Sequence, residues 1–147
     1  MKIKEIGTYT ETIKTMLTAL EEQLFKITGD SGSSSFRPTE IQNEKTIFVV
    51  GYEGEKAVAC GAIRQYEKQT AELKRMYSHV PKRGYGKQIL QYLEQKARDA
   101  GYHTIILSTR KVNKVAVAFY QKNGYQRITN FGKYQDKSES ICFQKDI

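Results

Sequence analysis

Two stretches of the chain carry residue types suited to chemistry. The first is Pro81-Lys82-Arg83-Gly84-Tyr85-Gly86-Lys87, between a strand-like and a helix-like segment. Its two glycines let the backbone turn tightly and approach a ligand. The first amides of the following helix have no intrahelical acceptors, and the helix dipole favours negative charge there. Lys82, Arg83 and Lys87 add side-chain cations, so the segment suits a phosphate group. It is not a P-loop, because no GxxxxGK[ST] is present, and it lacks the third glycine of a dinucleotide fingerprint. Taken alone, it also fits a glycine turn with solvated lysines. The second stretch runs from Asn113 to Tyr125. Asn113 is able to bond a ligand amide and Tyr120 to donate a proton. Taken alone, it also reads as an amphipathic helix with an aromatic anchor.

Other reactive residue types are sparse. Cys60 and Cys142 belong to no CxxC or Cys/His cluster, which gives a structural zinc site no basis. Both read as free thiols in a reducing compartment. Each lies on a strand-like segment with no adjacent histidine, so a cysteine nucleophile has little support. His79 lies beside the glycine loop, and His103, after Gly101, reads as surface.

The elements that must position these residues follow from periodicity. Ile3–Ile6 is a short strand. Thr10–Ile27 has Ile13, Met16, Leu17, Leu20, Leu24 and Ile27 at helical spacing, with Thr10 as N-cap and Gly29 past the end. Gly29–Ser35 is a low-complexity loop. Thr46–Tyr52, Ala57–Gln65 and Ala71–Val80 are strand-like, with short turns that favour an antiparallel meander. Gly86–Ala100 and Asn113–Asn123 are helical by spacing, with the strand Thr104–Thr109 between them. Tyr125–Thr129 and Ser138–Gln144 close the chain as strands. The class is α/β around one sheet.

With both stretches in this setting, the sequence resembles the GNAT superfamily of acetyl-CoA-dependent N-acetyltransferases. Arg83-Gly84-Tyr85-Gly86 matches the latter part of that family's pyrophosphate loop, [QR]xxGx[GA]. Asn113, Ala116, Phe119, Tyr120, Lys122, Gly124 and Tyr125 match NxxAxxFYxKxGF, with Tyr for the final Phe. Glu72-Leu73-Lys74-Arg75-Met76-Tyr77 extends the likeness to the strand before the loop. One departure stands out. With Gly84 and Gly86 in the two small-residue positions, Pro81 falls where the family has Gln or Arg. The other register puts Arg83 there and Gln88 at the last small position.

The resemblance implies a single domain over residues 1–147, with one mixed, mostly antiparallel central sheet flanked by helices. The element order is β-α-α-β-β-β-α-β-α-β-β. It implies acetyl-CoA in an opening between Ala71–Val80 and Thr104–Thr109. Main-chain groups of Met76, Tyr77 and Ser78 would pair with the pantetheine. Amides of Lys82, Arg83, Gly84, Tyr85, Gly86 and Lys87 would hold the pyrophosphate. Asn113 and Phe119 would meet the cofactor arm. Tyr120 would protonate the leaving thiolate, and either Glu72 or water would take the amine proton. The acceptor is an amine on a small molecule or peptide, chosen by Thr10–Ile27, the serine loop and Asn130–Lys137. No metal is implied, and the resemblance admits a homodimer.

Composition bounds the rest. The chain has 147 residues, and 24 Lys and Arg against 16 Asp and Glu give 24 − 16 = +8. That excess suits an anionic partner. Lys74, Arg75, Lys82, Arg83 and Lys87 place part of it near the expected coenzyme A, and the rest reads as solvated surface. A basic nucleic-acid module is the rival, but no helix-turn-helix or RRM signature is present and the charges are spread along the chain. A non-catalytic acyl-CoA-binding domain is the other, and the intact Tyr120 argues against it. No apolar run is long enough to span a bilayer, and the start lacks the apolar core of a signal peptide, so a cytoplasmic location is expected with no membrane partner.

Overall fold

The first helix shows how closely local chemistry sets the boundaries. In the computed structural model, which describes Met1–Ile147, α1 spans Glu11–Thr28. The Thr10 hydroxyl accepts from the Ile13 N–H at 3.3 Å. Gly29 ends the helix with φ 79°, a left-handed conformation that glycine adopts without strain. Ile13, Met16, Leu17 and Leu20 are buried, as their spacing requires.

Seven strands form one sheet in the order β1-β2-β3-β4-β5-β7-β6. They are β1 (Lys2–Ile6), β2 (Thr46–Glu53), β3 (Lys56–Glu67), β4 (Thr70–Ser78), β5 (Thr104–Arg110), β6 (Gln126–Ile128) and β7 (Ser140–Asp146). All neighbours are antiparallel except β4 and β5, so the sheet is mixed as expected. The other helices are α2 (Tyr85–Asp99) and α3 (Lys114–Lys122). Val49, Ile63, Leu73, Ile105 and Leu107 pack on Ile89, Leu90 and Leu93 of α2. Phe48, Val50, Cys60 and Ala62 pack on the buried stripe of α1. Both sheet faces are therefore covered, which is why Phe48-Val49-Val50 is apolar without alternation. No helix is long and apolar enough to cross a membrane.

A second N-terminal helix does not form. In its place are two short 3₁₀ turns, Ser33–Ser35 and Pro38–Gln42. The Asp30 carboxylate accepts from the Gly32 N–H at 2.9 Å, and Ser31 and Ser35 bond within the same loop. Such side chains offer the backbone partners that compete with a helix. Pro38 then allows only a brief turn before β2.

The sheet parts in the middle. β4 and β5 pair only at Thr70↔Thr104, Ala71↔Ile105 and Glu72↔Ile106. Beyond Glu72, β4 runs on to Ser78 beside β3, while β5 stays with β7 to the pair Arg110↔Ser140. A bulge causes the parting. Cys60 pairs with Tyr77 and Ala62 with Lys74, so Gly61 alone faces both Arg75 and Met76. The extra residue bends β4, and Arg75 absorbs the change with φ 57°.

Candidate active site

The parted strands make a V. Its open end lies where β4 meets the glycine loop. There Lys82 has φ 62° and Gly84 φ 75°, turning the chain into α2. The first intrahelical bond of α2 runs from the Gln88 N–H to the Gly84 carbonyl at 3.1 Å, and no side chain caps this end. The amides of Tyr85, Gly86 and Lys87 thus have no acceptor in the helix. The Lys82, Arg83 and Lys87 side chains are exposed around them. Tyr85 turns its ring into the core. Gly86 lies beside Phe119, since a Cβ there would sit 3.5 Å from the Phe119 ring.

The apex of the V is a cavity of about 140 Å³. Leu73 and Met76 line it from β4, Leu107 and Thr109 from β5, and Asn113 and Tyr120 from the α3 side. Tyr77 and Ser78 lie further along the free edge of β4. The Ser78 hydroxyl donates to the Val80 carbonyl at 3.0 Å, and Tyr77 leans on the α1 core. Asn113 caps α3, its Oδ1 accepting from the Ala116 N–H at 3.3 Å. That leaves its side-chain NH₂ group as the part able to meet a ligand. Tyr120 is 8% exposed and packed edge-on against Phe119 and Tyr125. Burial pushes its hydroxyl well above the ordinary phenol range, so it keeps its proton at neutral pH.

Glu72, the carboxylate offered as a base, is buried in a cluster of cations. It is 4% exposed, with the Arg64 Nε and Nη2 both 3.0 Å from its Oε1. The Lys74 Nζ stands 3.6 Å from its Oε2. Arg64 reaches on to Glu40 at 2.6 Å. Arg75, next along the strand, does not pair with Glu72. Glu72 does not border the cavity, whereas Lys74 and Arg75 do. Those two cations therefore do not join the loop lysines. Lys74 donates to the Tyr134 hydroxyl at 2.9 Å, and burial lowers its ammonium to about 8, against the opposing pull of Glu72. Arg75 turns toward the serine loop, bonding the Gly32 carbonyl and the Ser35 hydroxyl.

Sequence reasoning missed Arg64, Tyr134 and the surroundings of Lys74. No signal was present for Arg64: counting back from the turn at Lys68-Gln69 sets Gln65 opposite Glu72, and only the register shift between Gln65 and Glu67 brings Arg64 there. The cysteines are as expected. Both are free and buried, and burial pushes the Cys60 thiol up to about 12, so it carries no thiolate at neutral pH. A larger polar hollow of about 350 Å³ lies between Glu40, Lys45, Arg64 and Tyr66. It takes no residue from β5 or α3 and stands apart from the V.

Known proteins place this architecture. Residues 13–125 match the Acetyltransferase (GNAT) family. An uncharacterised N-acetyltransferase of Bacillus subtilis, YsnE, is 26% identical over 113 residues, covering 74% of each chain. The putative acyl-CoA N-acyltransferase of Klebsiella pneumoniae superposes with a TM-score of 0.82 at 28% identity, over 99% of this chain and 96% of that one. The PaiA N-acetyltransferase of Thermoplasma acidophilum, solved in complex with coenzyme A, has a TM-score of 0.73 over 100% of both chains. At 17% identity it attests the fold alone. With the family match spanning most of the chain, the parted sheet and the uncapped α2 are features of an N-acetyltransferase, and this chain belongs to the GNAT acetyltransferase family.

Proposed function

We propose that the chain transfers an acetyl group from acetyl-CoA to a primary amine by direct attack on the thioester. The observation that carries this reading is the line of groups along the V: the uncapped α2 amides at its mouth, the unpaired edge of β4 along its side, and Tyr120 at its apex. The amides of Lys82–Lys87 hold the pyrophosphate, assisted by the helix dipole. The main chain at Met76, Tyr77 and Ser78 takes the pantetheine as an added strand, and one of its N–H groups faces the developing oxyanion. Asn113 and Phe119 flank the arm. Tyr120 gives its proton to the departing thiolate. Water fits better than Glu72 as the acceptor of the amine proton. The Glu72 carboxylate is engaged by Arg64 and Lys74 and does not border the cavity.

The test is thermal unfolding with and without acetyl-CoA. A ligand of the native state at 100 times its Kd adds about 2.7 kcal/mol, which at this chain length raises Tm by roughly 5–11 °C. An unchanged Tm at saturating acetyl-CoA overturns the proposal. The loop has its own test. A Cβ at Gly84 meets nothing within 4 Å, so Gly84→Val acts only through the left-handed φ that a β-branched residue avoids. The expected result is acetyl-CoA affinity weakened about tenfold or more, with a small fall in Tm. Unchanged affinity in a calorimetric titration excludes the loop from binding.

A further inference from the structure

The bulge that opens the V also brings a charge that forms no ion pair. Arg75 is 7% exposed, yet it takes part in none of the ion pairs of the protein. Its Nη2 bonds the Gly32 carbonyl and lies 3.4 Å from the Ser35 hydroxyl. Its guanidinium carbon stands 5.9 Å from the centre of the Phe36 ring. Its Nη1 has no acceptor, and it is the one buried side-chain nitrogen or oxygen of the protein in that position. A guanidinium does not shed its proton, so its donors stay charged and need an acceptor.

The unfilled donor belongs to a residue of the apex cavity. Lys74 lines the same cavity, and so do the apolar side chains of Leu20, Leu24, Leu73 and Leu107. No aspartate or glutamate does. Lys74 is paired with Glu72, but Arg75 is not paired with a carboxylate. That is an odd wall for a purely cationic acceptor, since an unpaired guanidinium repels a protonated amine. It is a fitting wall for an amine that carries an anion as well. The planar guanidinium matches a planar carboxylate, and the small volume suits a compact molecule.

We infer that the acceptor is a compact amino acid, whose carboxylate accepts from the Arg75 Nη1 while its amine faces the thioester. The inference rests on the proposed acetyl transfer, because it takes the apex cavity as the meeting place of amine and thioester. Charge, rather than the shape of the side chain, then sets the first level of acceptor choice. The serine loop serves this choice by fixing the guanidinium through Gly32 and Ser35.

The experiment compares amino acids with their amides, and with the corresponding aminophosphonates, as acceptors in an assay of thiol release from acetyl-CoA. The acids are expected to exceed their amides about 10- to 100-fold in kcat/KM, the range of one hydrogen bond to a charged group. Arg75→Gln is expected to remove that preference by raising KM for the acids, and Arg75→Lys to restore part of it. Equal rates for acids and amides overturn the inference and leave acetyl transfer standing. Aminophosphonates as the better acceptors overturn the carboxylate assignment. Acetyl-CoA affinity falling in Arg75→Gln as far as the acid preference does places the Nη1 on the cofactor instead. A second arm needs no turnover: the protein saturated with coenzyme A is titrated with the same acids and amides, with Tm as the readout. Stabilisation by acids alone, lost in Arg75→Gln, supports the carboxylate site even if no amine is acetylated. Stabilisation by neither, or by both alike, overturns it.

Discussion

Tyr120→Phe is expected to lower kcat by about 10²–10⁴-fold, the span of a positioned general acid, while acetyl-CoA binds as before. The two outcomes separate because the ring and the hydroxyl do different work. The ring holds the edge contacts with Phe119 and Tyr125 and the tilted contact with Phe143, all of which phenylalanine keeps. The hydroxyl alone carries the proton. Burial raises its pKa above the ordinary value near 10, so the neutral form is the favoured one in the fold. Its contribution to stability is therefore complete below the ordinary phenol pKa and is lost as pH rises through the higher value of the folded state. It follows that kcat shows no falling limb from Tyr120 up to about pH 9.5. Phenylalanine turning over at the wild-type rate removes the acid role. A loss confined to KM assigns the hydroxyl to binding instead.

Much of this site was legible because it depends on local signals. Asn113, Phe119 and Tyr120 follow from one helical motif, and the structure puts Asn113 at the N-cap of α3 and Tyr120 at the cavity. The Gly84-Tyr85-Gly86 loop follows from strand, glycine and helix in sequence. The meander β2-β3-β4 follows from its short turns. The stripe of α1 was read correctly as far as Leu20, and Ile27 then proves 39% exposed because the helix outlasts the sheet beneath it. What stayed hidden is register. In a regular strand Lys74 and Arg75 point to opposite faces. The bulge resets that alternation, so both reach the cavity, and the charge assigned to the cofactor from composition divides between two places. Nothing in Glu72–Ser78 marks the extra residue. The only trace is on the partner strand, at Gly61. The absent second helix has a comparable cause: the serine loop bonds to itself, and residue types alone do not say whether such bonds outcompete a helix.

Gly61→Val tests whether the bulge is held in place by packing. A Cβ at Gly61 would fall 2.6 Å from the Met76 Sδ, 2.8 Å from the Ile89 Cγ2 and 3.0 Å from the Leu93 Cδ1. Met76 is flexible, but Ile89 and Leu93 are fully buried beneath α2 and have no free space to enter. Overpacking of this kind costs about 1–3 kcal/mol, and valine, whose first carbon already overlaps three side chains, belongs at the upper end. Tm is expected to fall by roughly 6–12 °C, from about 2–4 °C per kcal/mol at this chain length. The way to relieve the overlap is to move Met76 or lift α2. Met76 lines the apex, and α2 carries the loop amides, so either movement disturbs the V. Acetyl-CoA affinity and kcat are expected to fall together with stability. Gly54→Ala supplies the contrast. Gly54 has φ 59° at the turn between β2 and β3, and nothing lies within 4 Å of its Cβ position. Its loss costs about 1 kcal/mol through backbone strain and leaves acetyl-CoA affinity alone. Equal losses of affinity in the two variants, measured below their respective unfolding transitions, detach the cleft from the bulge. A loss confined to Gly61→Val ties the opening of the sheet to the one position on β3 that has no side chain to spare for it.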